Sequence, residues 1–301
     1  MPRLDREDTQ DTPKPALKAH LLKEFSYRTE HPALGHFPGH HRSRAGDSGH
    51  EFRSHVPLHD APDVRRIDLH ASLRDPMGQW LARVASERKA VPVYAVADLS
   101  ASMGFVGERR KLDVLADFTQ SLAWSAWRTG DAFGFVGCDE AVRSDWIQPL
   151  MRTRGAGQVL AQRLRGFEPS GRHAQGLGHA HRWLRRQRAM VFLLSDFHLP
   201  LAQLDALLAS LAHHELVPVL LWDRAEFVPP ARSNGRLGVL EDSETGQRRV
   251  LWLRRSVRDR WQRQMAERRD ALATTFRRHR VRPIVLLDGF DADAVTAHFH
   301  G

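Results

Sequence analysis

The chain has 301 residues, 42% hydrophobic and 27% charged, with a formal net charge of +9. That supports one large globular domain, or one with a small satellite, while no run approaches the ~18 apolar residues of a membrane span and the polar start MPRLDREDTQDTPKP lacks the apolar core of a signal peptide. The single Cys138 excludes an internal disulfide and a cysteine metal cage, so a cytoplasmic protein without a membrane span is expected.

Residues 1–48 are polar and broken by Pro13, Pro15, Pro32 and Pro38, which predicts an arm with one short helix near Leu17 to Phe25. Residues 49–88 hold short mixed segments that read as a small β-rich unit. From Val91 onward strands alternate with helices. Val91–Ala97 is a continuous apolar run, the mark of a strand buried on both faces. Lys111–Trp127 carries Leu112, Leu115, Phe118, Leu122 and Ala126 at helical spacing. Ala132–Val136 is a second strand, and residues 153–166 and 173–186 look helical. Met190–Leu194 is a third strand, ending at Ser195-Asp196, and Leu201–Leu211 is a helix. Val217–Trp222 is a strand whose Pro218 suggests a partly paired edge. Residues 236–253 read as a hairpin around Glu244-Thr245-Gly246. An arginine-rich amphipathic helix follows, with Val257, Trp261, Met265, Leu272 and Phe276 on its apolar side, then Pro283–Leu287 as a strand and Ala292–Phe299 as a helix. The alternation predicts α/β architecture: a doubly wound sheet of about six mostly parallel strands over residues 89–301, with the 236–253 hairpin as an insertion beside the β-rich unit.

The chemistry concentrates where the first buried strand ends, in Asp98-Leu99-Ser100-Ala101-Ser102. Alternating Asp98, Ser100 and Ser102 put hard oxygen donors on one loop at a strand's carboxyl end, where open α/β sheets hold their ligands. Such donors suit Mg²⁺ or Mn²⁺; the plainer reading is a capped strand-to-helix turn. Asp196 ends another strand and would converge on the same place. The eighteen histidines show no zinc spacing. Cys138 reads as a small buried residue, and the tryptophans as core or interface.

This constellation resembles the von Willebrand factor A fold and its metal-ion-dependent adhesion site, in which an Asp-x-Ser-x-Ser loop and a later Asp hold a divalent ion, a Thr helps, and a partner's carboxylate completes the coordination. More of the chain resembles the bacterial family called domain of unknown function 58, in Gly49, Glu51 and Phe52, in Arg65, Arg66, Ile67 and Asp68, and in Ser72 and Arg74. Members are commonly encoded beside MoxR-type AAA+ ATPases, some in gene clusters for metalloenzyme maturation. The resemblance implies a non-enzymatic adaptor or chaperone-like partner of such an ATPase and a client protein, with Asp98, Ser100, Ser102 and Asp196 as the metal set. Ala61-Pro62 and Leu69 depart from the family pattern. Arg172 stands where the Thr ligand is expected, and Ser170 or Thr153 could serve instead. Two carboxylates ~4 Å apart at an effective dielectric of ~20 repel by roughly 4 kcal/mol. A positive group is therefore expected between Asp98 and Asp196, either the ion or Arg172, and Arg172 would make metal binding weak or absent. The alternatives are a basic nucleic-acid-binding protein, argued from charge alone, and a hydrolase using Asp98 and Asp196. Against the latter, the chain holds no Gly-x-Ser-x-Gly elbow and no P-loop.

Overall fold

The computed structural model describes residues 23–29, 38–42, 51–60, 62–86, 88–227, 237–241, 248–252 and 255–301. Its elements are β1 (Pro38–Arg42), β2 (Glu51–Pro57), α1 (Leu69–Leu73), β3 (Leu81–Ser86), β4 (Arg88–Lys89), β5 (Pro92–Asp98), α2 (Lys111–Arg128), β6 (Ala132–Cys138), β7 (Val142–Met151), α3 (Ala156–Arg165), β8 (Met190–Ser195), α4 (Leu201–Leu211), β9 (Glu215–Trp222), α5 (Arg224–Phe227), β10 (Leu237–Glu241), β11 (Arg248–Trp252), α6 (Arg255–Arg278), β12 (Ile284–Leu287) and α7 (Ala292–His300).

Six strands form one sheet in the order β12-β9-β8-β5-β6-β7. All neighbours are parallel except β7, which runs antiparallel to β6 at the edge. The order reverses on the two sides of β5, as in a doubly wound sheet. This is the expected α/β architecture, a doubly wound and mostly parallel sheet of six strands. Alternate residues of each strand feed opposite faces. Val93, Ala95 and Ala97 join Phe192 and Leu194 in a core closed by α2, α3 and α7. Tyr94 and Val96 join Val191 and Leu193 in a second core closed by α4, α6 and the 3-10 helix Gln175–Trp183. Both faces are covered, so β5 and β8 read as unbroken apolar runs rather than alternating ones.

Four local readings change. The 173–186 segment is a 3-10 helix rather than an α-helix. The edge strand β7 was not anticipated, because SDWIQPLM mixes polar and apolar residues as a half-exposed edge does. β9 is interior, between β8 and β12; Pro218 sits opposite Leu193 without breaking the pairing. Residues 23–25 are not helical, and the rest of the helix expected near Leu17 lies outside the described residues. Instead, residues 23–29 run extended into the first core. Phe25 and Tyr27 are buried there, and the Tyr27 hydroxyl donates to Asp131 Oδ2 at 2.5 Å.

β2 pairs with β3, and the Asp68 motif ties that hairpin down. Asp68 caps α1 by accepting from the Ala71 amide, and Ser72 Oγ accepts from the Leu81 amide. β10 and β11 pair only with each other, and the 242–247 turn lies outside the described residues.

Candidate functional site

Asp98 ends β5 and Asp196 follows β8, its direct neighbour. The topology therefore brings both carboxylates to one end of the sheet, as their places in the sequence require. Asp98, Ser100, Ser102 and Asp196 line one cleft of about 180 Å³, together with His173, Gln175 and His198. Asp98 Oδ1 accepts from the Ser100 amide at 2.9 Å and from its hydroxyl at 2.6 Å. Asp98 Oδ2 accepts from Ser195 Oγ at 2.7 Å. The Ser100 and Ser102 hydroxyl oxygens are 3.3 Å apart. The loop 170–173 closes the cleft from the side, with Gly171 bridging Ser100 and accepting from the Ala101 amide.

Among the described residues no cation bridges Asp98 and Asp196; the positive group beside Asp196 is Lys111, which pairs it with Glu226 instead. Its ammonium donates to Asp196 Oδ2 at 2.8 Å and to Glu226 Oε2 at 2.9 Å. Arg172 is not the counter-charge: its side chain is exposed, and its backbone amide donates to Glu140. The loop presents His173 to the cleft instead. Lys111 lies on the helical stripe of Leu115, Phe118 and Leu122, at spacings of about one, two and three turns, so α2 carries it inward. A lysine on an apolar stripe is a signal present in the sequence.

His198 and Glu226 complete the cluster. His198 Nε2 lies 3.1 Å from Glu226 Oε2, and Asp196, His198 and Glu226 offer ligand atoms within 4.8 Å of one another. Glu226 is held from α5, and its Oε1 accepts from the Asp223 amide. Asp223 in turn accepts from the Glu108 amide at 2.7 Å, which anchors the loop leading into α2. That approach needs Gly107: a Cβ there would stand 2.0 Å from Asp223 Oδ1. Phe197, between the two cluster residues, has a φ of 54°, a costly conformation for a bulky side chain. Its amide donates to Ser195 Oγ and its carbonyl accepts from Arg268 of α6. α6 is thus more than a solvated basic helix: Leu272 and Phe276 are buried, and Arg268 braces the site.

Charge settles unevenly. Burial, then the neighbouring charge of Asp196, push Asp98 up to about 6. Burial would also raise Asp196, but the Lys111 ammonium beside it outweighs this and holds it well below the usual carboxylate range. Burial lowers His198 less than Asp196 and Glu226 raise it.

The donor set fits a hard divalent cation in part. The Ser100 and Ser102 hydroxyls, backed by Asp98, are the oxygen donors Mg²⁺ or Mn²⁺ take. At Asp196 the fit is poorer, because one oxygen is engaged by an ammonium that already supplies positive charge.

The family described as "Protein of unknown function DUF58" matches residues 59–271. Comparison with curated proteins finds no match. Among solved structures, the chain is similar to an aerotolerance-related membrane protein from Bacteroides fragilis, at 12% identity and a TM-score of 0.40, covering 70% of this chain and 97% of that one. BatB, a conserved hypothetical protein from Bacteroides thetaiotaomicron, shows 14% identity and a TM-score of 0.40, over 70% and 96%. The VWA domain of SpRpn10 shows 12% identity and a TM-score of 0.37, over 69% and 94%. Among the described residues, no helix is long and apolar enough to cross a membrane.

Proposed function

We propose that this chain, which belongs to the DUF58 family, is a non-enzymatic interaction module that engages its partners through the Asp98 end of the sheet. The observation that carries this reading is the size and make-up of the cleft. At about 180 Å³ it falls below the roughly 300–1,000 Å³ of organic-ligand pockets; it takes an ion or one inserted side chain. Its hydroxyls and acid groups suit a partner that brings a cation, or a carboxylate bridged through one. An exposed apolar side chain adds contact area: Val106, on the loop between the Asp98 loop and α2, is 65% exposed.

On the motif residues described above, the partner is a MoxR-type AAA+ ATPase, with a client protein undergoing metalloenzyme maturation in the cytoplasm. Mg²⁺ or Mn²⁺ would bind weakly, through Ser100, Ser102 and Asp98. A hydrolase reading has less support: the Ser100 hydroxyl is committed to Asp98, and His198 to Glu226. A nucleic-acid reading rests on net charge alone.

Capture of a MoxR-type ATPase from the same cell by the full-length protein tests the proposal. Wild type retains the ATPase, and Ser102→Ala weakens the complex by roughly tenfold, about 1.4 kcal/mol. Equal binding by the variant removes the cleft from the interface. No binding with or without Mg²⁺ removes the partner.

A further inference from the structure

At the opposite pole of the sheet lies a second, larger cavity, of about 770 Å³, within the range of organic-ligand sites. It opens at the amino ends of β8 and β9, where Arg188 precedes one strand and Glu215 starts the other. Four arginines reach it from separate parts of the chain: Arg28 from the amino-terminal segment, Arg188, and Arg280 and Arg282 between α6 and β12.

Several arginines elsewhere in the fold pair with carboxylates. Arg165 and Arg109 share Asp117, and Arg278 takes Asp205. Among the described residues, no carboxylate lies within ion-pair distance of these four. Glu215, which also lines the cavity, has an interaction of its own. The Arg188 Nε is buried with no hydrogen-bond partner, and a buried donor left unmade is costly. Arg280 holds a φ of 57° after the last turn of α6, a place where glycine or asparagine is usual. Burial first, then His213 and Arg188, push His214 down to about 4, so this imidazole stays neutral beside the arginines. Apolar side chains also line the cavity: Leu208, Leu216, Val281 and the Phe299 ring.

We propose that this cavity binds a nucleoside di- or triphosphate, its base against the apolar lining residues and its phosphates on the arginines. Several guanidinium groups converge where one carboxylate would satisfy only one, and guanidinium forks match phosphate oxygens. The apolar lining residues give a base contacts that an inorganic anion would leave unused.

Calorimetric titration of the full-length protein with ADP, ATP and pyrophosphate, at an ionic strength of ~0.05 M, tests this. ADP and ATP bind more tightly than pyrophosphate. Arg188→Gln and the exposed Arg282→Gln each weaken nucleotide binding by roughly tenfold, whereas Ser102→Ala, at the other pole, leaves it unchanged. Pyrophosphate binding as tightly as ADP overturns the nucleoside assignment. Absence of nucleotide binding to about 5 mM, or binding indifferent to both arginine variants, overturns the site. Neither outcome bears on capture of the ATPase, which tests the other end of the sheet.

Discussion

Lys111 lies on the stripe of Leu115, Phe118 and Leu122, so its ammonium enters the core rather than water. Buried there, it meets Asp196 and Glu226 at ion-pair distance. Removing one partner of such a group leaves buried charge uncompensated, at a cost of roughly 3–5 kcal/mol. Lys111→Met is therefore expected to lose about that much stability in chemical denaturation, and added Mg²⁺ is expected to restore more stability to it than to wild type. Equal Mg²⁺ responses would show that the lysine does not stand in for a cation. Arg172→Thr, at an exposed side chain, should leave the Mg²⁺ response unchanged. Asp98 makes a separate prediction. Its folded-state value of about 6 lies above that of an unfolded Asp, ~3.9. Its contribution is thus fully present below pH ~4 and lost as pH rises through about 6, a change of roughly 3 kcal/mol. Asp196, held low, works in the opposite sense, and its contribution is lost only as pH falls below the unfolded value. Without divalent ions, stability should fall between about pH 4 and pH 6, and Asp98→Asn should flatten that slope. A slope that persists in the variant would assign it to another group.

At the scale of elements, the amino-terminal segment matters most. Composition and prolines predict an arm over residues 1–48, within which β1 pairs with β4. Residues 23–29 nonetheless supply a wedge: Phe25 stacks on Phe118 with ring centroids 5.5 Å apart, and Tyr27 closes on Asp131, which also accepts from the Val91 amide at 2.7 Å. Phe25→Ala should cost roughly 3–5 kcal/mol, as for other buried Phe→Ala changes, read from the midpoint of urea unfolding. A cost under about 1 kcal/mol would mean that the segment packs only loosely. Two aromatic residues two positions apart, Phe25 and Tyr27, with polar residues on either side, are too short a pattern for periodicity to mark as core. β7 escaped notice for a related reason: as an edge strand it is buried on neither side fully, and its alternation is blurred by Asp145 and Gln148.

At the scale of the molecule, the sheet separates two chemistries. Its carboxyl-terminal end gathers Asp98, Asp196, Glu226 and the serine hydroxyls; its amino-terminal end gathers arginines. Strand–helix alternation is legible along the chain, because burial on both faces makes β5, β8 and β9 nearly continuous apolar runs. So is the placing of Asp98 and Asp196 on one side of the sheet, because parallel strands end on one side. Folding alone supplies the ammonium that pairs with Asp196 and the residues that brace the site. Lys111, Glu226, His198 and Arg268 come from α2, α5, the β8–α4 loop and α6, and no local spacing links them. The basic cavity is likewise invisible along the chain, since Arg28, Arg188 and Arg282 lie far apart in sequence and converge only because strand order, not chain order, sets which ends are neighbours.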